Sequence, residues 1–398
     1  MNVAERTRLA FTRVGLPDRV PIHAWLGMTF IQRTVLPRPA RMTDLFHQWI
    51  DDPLGTLVKW QADLGLDPMI TTHSQHIGEL ERWPRLLCDF KEDAYAHWRE
   101  EIVEIDRSES SRTLEHRIHT PAGEGAYSYR MEGYSDWPLD YLIKDEADLD
   151  LLHYRPDPDL LVVDRLKAMV EKVGDRAWWL HHAPGPWNEA AELRGVTTLS
   201  MDLYDRPEFV HKLMRLVTDR LKKLYRKLGE TGIHSVSMNE TWVGMGLSPH
   251  IYQEFIKPYD DECVAAIHEA GYLVSYHNCG RGTRFLEDMV ATGADALETI
   301  TPVENSGDFD LADVKRRVGD RICLFGGFNE RLLDEAAPAK VRDEVKRCLD
   351  AAGEGGGYIL RTSGAIYQAD PRNIEVMCQT ARDYGRYPRP AQGAGGSA

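Results

Sequence analysis

Ile233-His-Ser-Val-Ser-Met-Asn239, a helical pattern over 249–270 and then Tyr272-Leu-Val-Ser-Tyr-His277 form one unit in the middle of the chain. Each short run alternates apolar with small polar residues, as a strand buried on both faces does. Strand, crossover helix and strand in one direction make a right-handed βαβ unit. The same unit recurs on both sides. Upstream, helical patterns over 159–173 and 207–229 bracket the strand Ala177-Trp-Trp-Leu-His-His182. Downstream, helices over 282–292, 310–317 and 337–352 lead to strands Ala296-Leu-Glu298, Ile322-Cys-Leu-Phe-Gly326 and Tyr358-Ile-Leu-Arg361, and a helix over 371–384 follows.

Two further strands precede Asp145, namely Arg19-Val-Pro-Ile-His-Ala-Trp25 and Asp67-Pro-Met-Ile-Thr-Thr72, with a helix-like stretch over 42–64 between them. Val3, Leu9, Ala10, Phe11 and Val14 mark an N-terminal helix that Gly15 and Pro17 stop. Two strands before Asp145 and six after it suit a closed (β/α)8 TIM barrel, which leaves no bare edge. A doubly wound sheet is the alternative, but no G-x-G-x-x-G marks a strand-to-helix turn. Residues 99–133 differ in kind: they alternate around the turn Pro121-Ala-Gly123, as an inserted antiparallel hairpin or three-strand meander would. The expectation is one barrel domain over 1–390 and a disordered Gly/Ala/Ser-rich tail over 391–398.

The 398 residues carry a net charge of −15, which argues against general binding of nucleic acid or an anionic membrane. No apolar run nears the ~18 residues of a membrane span, and Met1–Arg13 lacks the core of a signal peptide. Six scattered cysteines read as free thiols. A cytoplasmic enzyme is expected, with a homodimer as the default oligomer.

In a barrel of this kind the chemistry sits at the C-terminal strand ends. His23 and Trp25, Thr72 and His73, His181 and His182, Asn239 and Glu240, His277 and Cys279, Glu298, Gly326 and Gly327, and Arg361–Gly364 occupy those ends. The sharpest motif is Ser275-Tyr-His-Asn-Cys-Gly280. In extended chain, residues i and i+2 share a side, so His277 and Cys279 can hold one cation. Zinc takes this nitrogen–sulfur pair at roughly 2.0–2.3 Å. Glu240 and Glu298 end the flanking strands, so each is a candidate third ligand or an orienting partner of His277. Cys323 sits early in its strand and belongs to the core. One of His181 and His182 must face the mouth and can serve as general acid or base. His73 and His76 carry the same ambiguity. Asn239 is a further candidate catalytic residue. Arg361 can hold a substrate carboxylate or phosphate, or pair internally.

Arg19-Val-Pro-Ile22, Tyr141-Leu-Ile-Lys-Asp145, Leu247-Ser-Pro-His-Ile-Tyr-Gln-Glu-Phe255 with Pro258-Tyr259, His277-Asn-Cys-Gly280, Gly293-Ala-Asp-Ala296, Leu324-Phe-Gly-Gly327 and Ala381-Arg-Asp-Tyr-Gly385 run through nearly the whole chain. Together they resemble the uroporphyrinogen decarboxylase superfamily, which implies a (β/α)8 barrel. Members that decarboxylate uroporphyrinogen carry Arg-Gln-Ala-Gly-Arg after the first strand. This chain has Trp25-Leu-Gly-Met-Thr-Phe-Ile-Gln-Arg33 there instead. The resemblance therefore points to the cobalamin-dependent methyltransferase branch of coenzyme M type. That branch binds zinc through His-x-Cys and a later cysteine, and takes its methyl group from a corrinoid protein. His277 and Cys279 match, whereas Ser363 stands where the cysteine would be, so Glu240, Glu298, Ser363 or water must complete the site. The implied activity is methyl transfer between a small substrate or thiol and a corrinoid protein. A metal-independent decarboxylase or lyase, with Arg361 on a carboxylate and His181 or His182 moving protons, is the alternative. A non-catalytic binder of a small metabolite or corrinoid is a third.

Overall fold

A computed structural model of the chain describes residues 1–27, 30, 52–73, 89–132, 135–244 and 246–388. After β1 (Met69–His73) comes an antiparallel meander of β2 (Arg99–Arg107), β3 (Ser111–Thr120), β4 (Gly123–Glu132) and β5 (Ser135–Asp140). The chain then runs through β6 (Trp178–Pro184), β7 (Ser235–Asn239), β8 (Leu273–His277), β9 (Ala296–Thr299), β10 (Cys323–Phe328) and β11 (Tyr358–Thr362). These six and β1 form a seven-stranded parallel sheet whose spatial order is the order of the sequence. A doubly wound sheet would reverse direction at a switch point.

The first expected strand, 19–25, is extended chain that closes the sheet rather than a regular strand. Ile22 bridges Leu360 in parallel, the His23 amide donates to the Leu360 carbonyl (2.9 Å) and the Leu360 amide to the Pro21 carbonyl (3.0 Å). On its other side the Asp67 amide donates to the Ile22 carbonyl at 2.7 Å. Pro21 explains the irregularity, because it has no N–H to give to a ladder. The helix-like stretch is described only over Pro53–Asp63, where Asp52 accepts from the Gly55 amide.

The helix Val3–Thr12 plugs the lower end of the barrel. Its Ala10 and Phe11 pack with Met69, Trp178, Leu180, Ala296, Cys323, Phe325 and Ile359. These are inward residues of alternate parity, so the interior is packed and Cys323 lies deep in it. Ile70, Trp179, Ala183, Val236, Met238, Val274, Tyr276, Leu297, Leu324 and Leu360 face outward into the layer shared with the helices.

The meander has one strand more than expected. β5 carries Pro138, which a sheet tolerates at an edge, and it pairs only with β4. No helix among the described residues is long and apolar enough to cross a membrane.

His23, one of the strand-end residues, serves the fold. It is buried, with Nδ1 2.7 Å from the Asp67 carbonyl and Nε2 3.1 Å from Thr7 Oγ1. Desolvation lowers its pKa to about 4, despite the pull of Asp67. The unfolded chain therefore binds the extra proton first as pH falls. The neutral ring's contribution is complete above about pH 6.5 and is lost as pH falls towards 4. Its size is about 3 kcal/mol. In denaturant titrations across that window, His23→Gln should flatten the acid slope of stability. An unchanged slope would assign it to other groups.

Candidate functional site

Strand parity decides which side chains meet at the barrel mouth. In β6, Trp178 and Leu180 point inward, so His182 does too. His181 points outward, where Thr72 Oγ1 meets its Nδ1 at 2.8 Å. The structure therefore separates the two candidate histidines: His182 joins the mouth and His181 braces β6 against β1. In β8, Ser275 and His277 are inward, opposite Asn239 of β7 and Glu298 of β9. Arg361 is the inward residue near the end of β11. Of the loop histidines, His76 and the side chain of His73 lie outside the described residues.

His182, His277 and Glu298 converge, with candidate ligand atoms within 4.8 Å of one another and all three residues buried. His277 Nδ1 lies 3.3 Å from Glu298 Oε1, an ion pair too bent for a hydrogen bond, and this leaves Nε2 as the ring's other donor atom. Burial disfavours the charged ring. The Glu298 charge and a hydrogen bond to Cys279 outweigh it and raise His277 to about 9. Burial also pushes the Cys279 thiol up. Here the hydrogen bond and charge of His277, with the hydrogen bond shared with Thr241, prevail and hold it below its ordinary value. Cys279 is half-buried, and its Sγ stands 3.3 Å from Thr241 Oγ1. The Thr241 amide and hydroxyl donate to Asn239 Oδ1 at 3.0 and 2.6 Å, so Asn239 fixes the loop beside the thiol.

Glu298 is the hub. It is fully buried, pairs with Arg361 Nη1 and accepts from Ser275 Oγ at 2.6 Å. Burial would raise its pKa, but Arg361 and then His277 hold it well below the carboxylate range. Arg361 is also fully buried, with its guanidinium over Phe325 (4.7 Å to the ring centre) and Trp25 (5.2 Å). Among the described residues, its Nε and Nη2 have no hydrogen-bond partner. A buried charged donor left unpaired costs roughly 1–3 kcal/mol or more. Trp25 walls the site: its ring stacks on His182 (5.2 Å, 19°) and meets His277 edge-on (5.7 Å, 84°).

The backbone after Glu298 is strained. Thr299 and Ile300 take φ of 81° and 48°, unusual for β-branched residues. A side chain at Gly326 would put Cβ 2.1 Å from the Thr299 carbonyl oxygen, so only glycine lets β10 pass this turn.

Two candidates for the third ligand lie elsewhere. Glu240 gives both oxygens to the amides of Trp187 and Asn188 (2.9 Å each), at the N-terminus of the helix Pro186–Arg194. Burial raises its pKa and that of the neighbouring Asp260, the latter to about 7, and Asp260 accepts in a network from Tyr276 and Tyr252 at 2.8 and 3.3 Å. Tyr276 is an outward residue of β8, so this network lies behind the strand and outside the mouth. Ser363 donates its hydroxyl to the Phe328 carbonyl at 2.7 Å. Its one proton is committed to the backbone.

Two imidazoles and a carboxylate form an N/O donor set, and the Cys279 thiol, two residues beyond His277, stands outside that converging trio. That set fits zinc and does not suit calcium or magnesium, which want oxygen alone. Ser275 and Thr241 were missed in the sequence. Parity alone would have found Ser275, two residues before His277. Thr241 gave no signal, because its loop conformation brings it to Cys279.

Comparison with known proteins agrees with this architecture. Residues 139–384 match the family model described as "Uroporphyrinogen decarboxylase (URO-D)", which spans β6–β11 and hence His182, His277, Glu298 and Arg361. The uroporphyrinogen decarboxylase of Aeromonas salmonicida is 27% identical over 254 residues, covering 61% of this chain and 69% of that one. The protein of that name from Sodalis glossinidius is 28% identical over 228 residues, 54% of this chain and 62% of its own. A methyltransferase from Methanosarcina mazei superposes with a TM-score of 0.65 at 17% identity, over 96% of this chain and 99% of that structure, and so shares the fold. With the family model matched over more than half its length, and on the strands that build the mouth, the chain belongs to the uroporphyrinogen decarboxylase family.

Proposed function

We propose that this protein is a zinc-dependent methyltransferase that moves a methyl group between a small substrate or thiol and a corrinoid protein. The observation carrying this reading is the convergence of His182, His277 and Glu298 at the barrel mouth, with Cys279 two residues beyond His277. His277 and Cys279 would hold the metal, with His182 beside it as a free base. Glu298 would either ligate it or, from its place 3.3 Å from His277 Nδ1, fix that ring for coordination through Nε2. Zinc at such a site lowers the pKa of a bound thiol or alcohol and keeps a nucleophile available near neutral pH.

The chain's own residues do the rest. In a methyl transfer the bond from the methyl carbon to its carrier breaks as the bond to the acceptor forms, and the acceptor loses its proton. His182, inward and stacked on Trp25, is placed to take that proton. Trp25 keeps water from one flank of the site. Asn239 and Thr241 hold the loop that presents Cys279.

Protein purified without added metal should contain about one equivalent of zinc. His277→Ala and Cys279→Ser should each lower that content severalfold while the protein stays folded by circular dichroism. Zinc below about a tenth of an equivalent in wild type, unchanged by Cys279→Ser, would remove this reading.

One observation favours a second reading. Arg361 stands beside the same residues with two unpaired donors, and the curated relatives bear the name of a decarboxylase. A metal-independent decarboxylase or lyase would act on a carboxylated substrate and survive chelation, which the zinc enzyme would not.

A further inference from the structure

The two unpartnered nitrogens of Arg361, Nε and Nη2, are not an arbitrary pair. They form the side-on edge of the guanidinium, where two N–H bonds point the same way at the spacing of two carboxylate oxygens. The remaining nitrogen, Nη1, is pinned on Glu298. The contacts with Trp25 and Phe325 engage the cation through ring π faces, and a π contact does not supply acceptors for in-plane N–H bonds. Arg361 is therefore held from three directions and left open on one edge. It is completely buried, so bulk water does not satisfy that edge.

Arg361 lies one residue before the end of the last strand, with its guanidinium over Trp25, which is part-exposed and touches both His182 and His277. A group seated on the edge has the rest of its molecule next to the aromatic wall and the candidate metal residues.

We propose that the Nε/Nη2 edge of Arg361 is the specificity determinant of this site and receives a carboxylate of the substrate. The substrate is then a small carboxylate-bearing compound whose reacting group lies beside His277 and Cys279. This rests on the site named under Proposed function but not on its zinc, and it holds for either reaction considered there.

The test is calorimetric titration of the purified enzyme, with its metal, against two matched pairs: acetate with acetamide and benzoate with benzamide. In at least one pair the acid should bind about tenfold or more tightly than the amide. Arg361→Lys keeps the charge but loses the two-donor edge, and should abolish that preference while zinc content stays at the wild-type level. Equal binding of acid and amide in both pairs, or an acid preference that survives Arg361→Lys, overturns the proposal. Should Arg361→Lys not fold, the Arg361 Nε–H resonance of wild-type enzyme labelled with ¹⁵N-arginine decides instead. Benzoate or acetate should shift it where the amides do not, and no shift with either acid overturns the proposal. The failures are distinguishable. Zinc lost in His277→Ala with acid preference intact touches only the metal. Acid preference absent with zinc present touches only the carboxylate.

Discussion

Glu298→Ala should destabilise the protein by about 3–5 kcal/mol, the range expected when one partner of a buried ion pair is removed. The reason is what remains rather than what is lost. Arg361 is fully buried and already carries two unpaired donors, and among the described residues Glu298 is its one ion-pair partner. Ser275 loses its short acceptor as well and keeps only the Val236 carbonyl, at 3.4 Å. The double variant Glu298→Ala/Arg361→Met should therefore be more stable than Glu298→Ala alone, because it removes the stranded charge. Equilibrium unfolding of both variants measures this, and a double variant no better than the single one would refute the account. The milder Glu298→Gln keeps the volume and a hydrogen-bond acceptor. If the carboxylate orients His277, this variant should weaken zinc binding by about 10–100-fold, read by competition with a chelator.

Asp67→Asn should be comparably costly, at about 3–5 kcal/mol, although it lies far from the chemistry. Asp67 is 2% exposed and binds Arg6 at 2.9 Å, Arg19 at 2.7 and 2.8 Å and the Ile22 amide at 2.8 Å. Burial raises its pKa, but Arg19, His23 and Arg6 together hold it below the carboxylate range. This one side chain ties the plugging helix, the closing segment and the entry to β1 together. An asparagine fits the space but leaves two arginines facing a neutral amide. Because the closing segment has few ladder bonds of its own, the seam should loosen first. Hydrogen exchange should accelerate at His23 and Leu360 more than at residues of β7 or β8. Uniform acceleration would show that the seam is not a separate weak point.

Much of this was legible in the residues themselves. The strands from 177 onward could be read because each is a short apolar run followed by a helical pattern, and they stand within a residue or two of where the pattern put them. The closing segment was harder. Its apolar composition marked it as barrel chain, but Pro21 denies it a regular ladder, and only the Leu360 and Asp67 contacts show how it closes the sheet. The fourth meander strand was missed because Pro138 reads as a breaker unless the strand is known to be an edge. In the site, His277, Cys279 and Glu298 could be found from strand ends and period-two spacing. The choice between His181 and His182 could not, since it depends on which parity faces inward. Nor could the position of Glu240, which ends a flanking strand as Glu298 does but folds back onto the amides of Trp187 and Asn188.

The sequence by itself determined the alternation of strands and helices, the strand ends where chemistry gathers and the His-x-Cys pair, because periodicity and spacing are local properties of a chain. Only the tertiary structure decided that Glu298 rather than Glu240 joins His277, that His182 rather than His181 faces the mouth, and that Arg361 keeps an open edge. Those are facts about which groups compete for the same hydrogen bonds once distant segments meet, and the competition does not exist until the barrel closes.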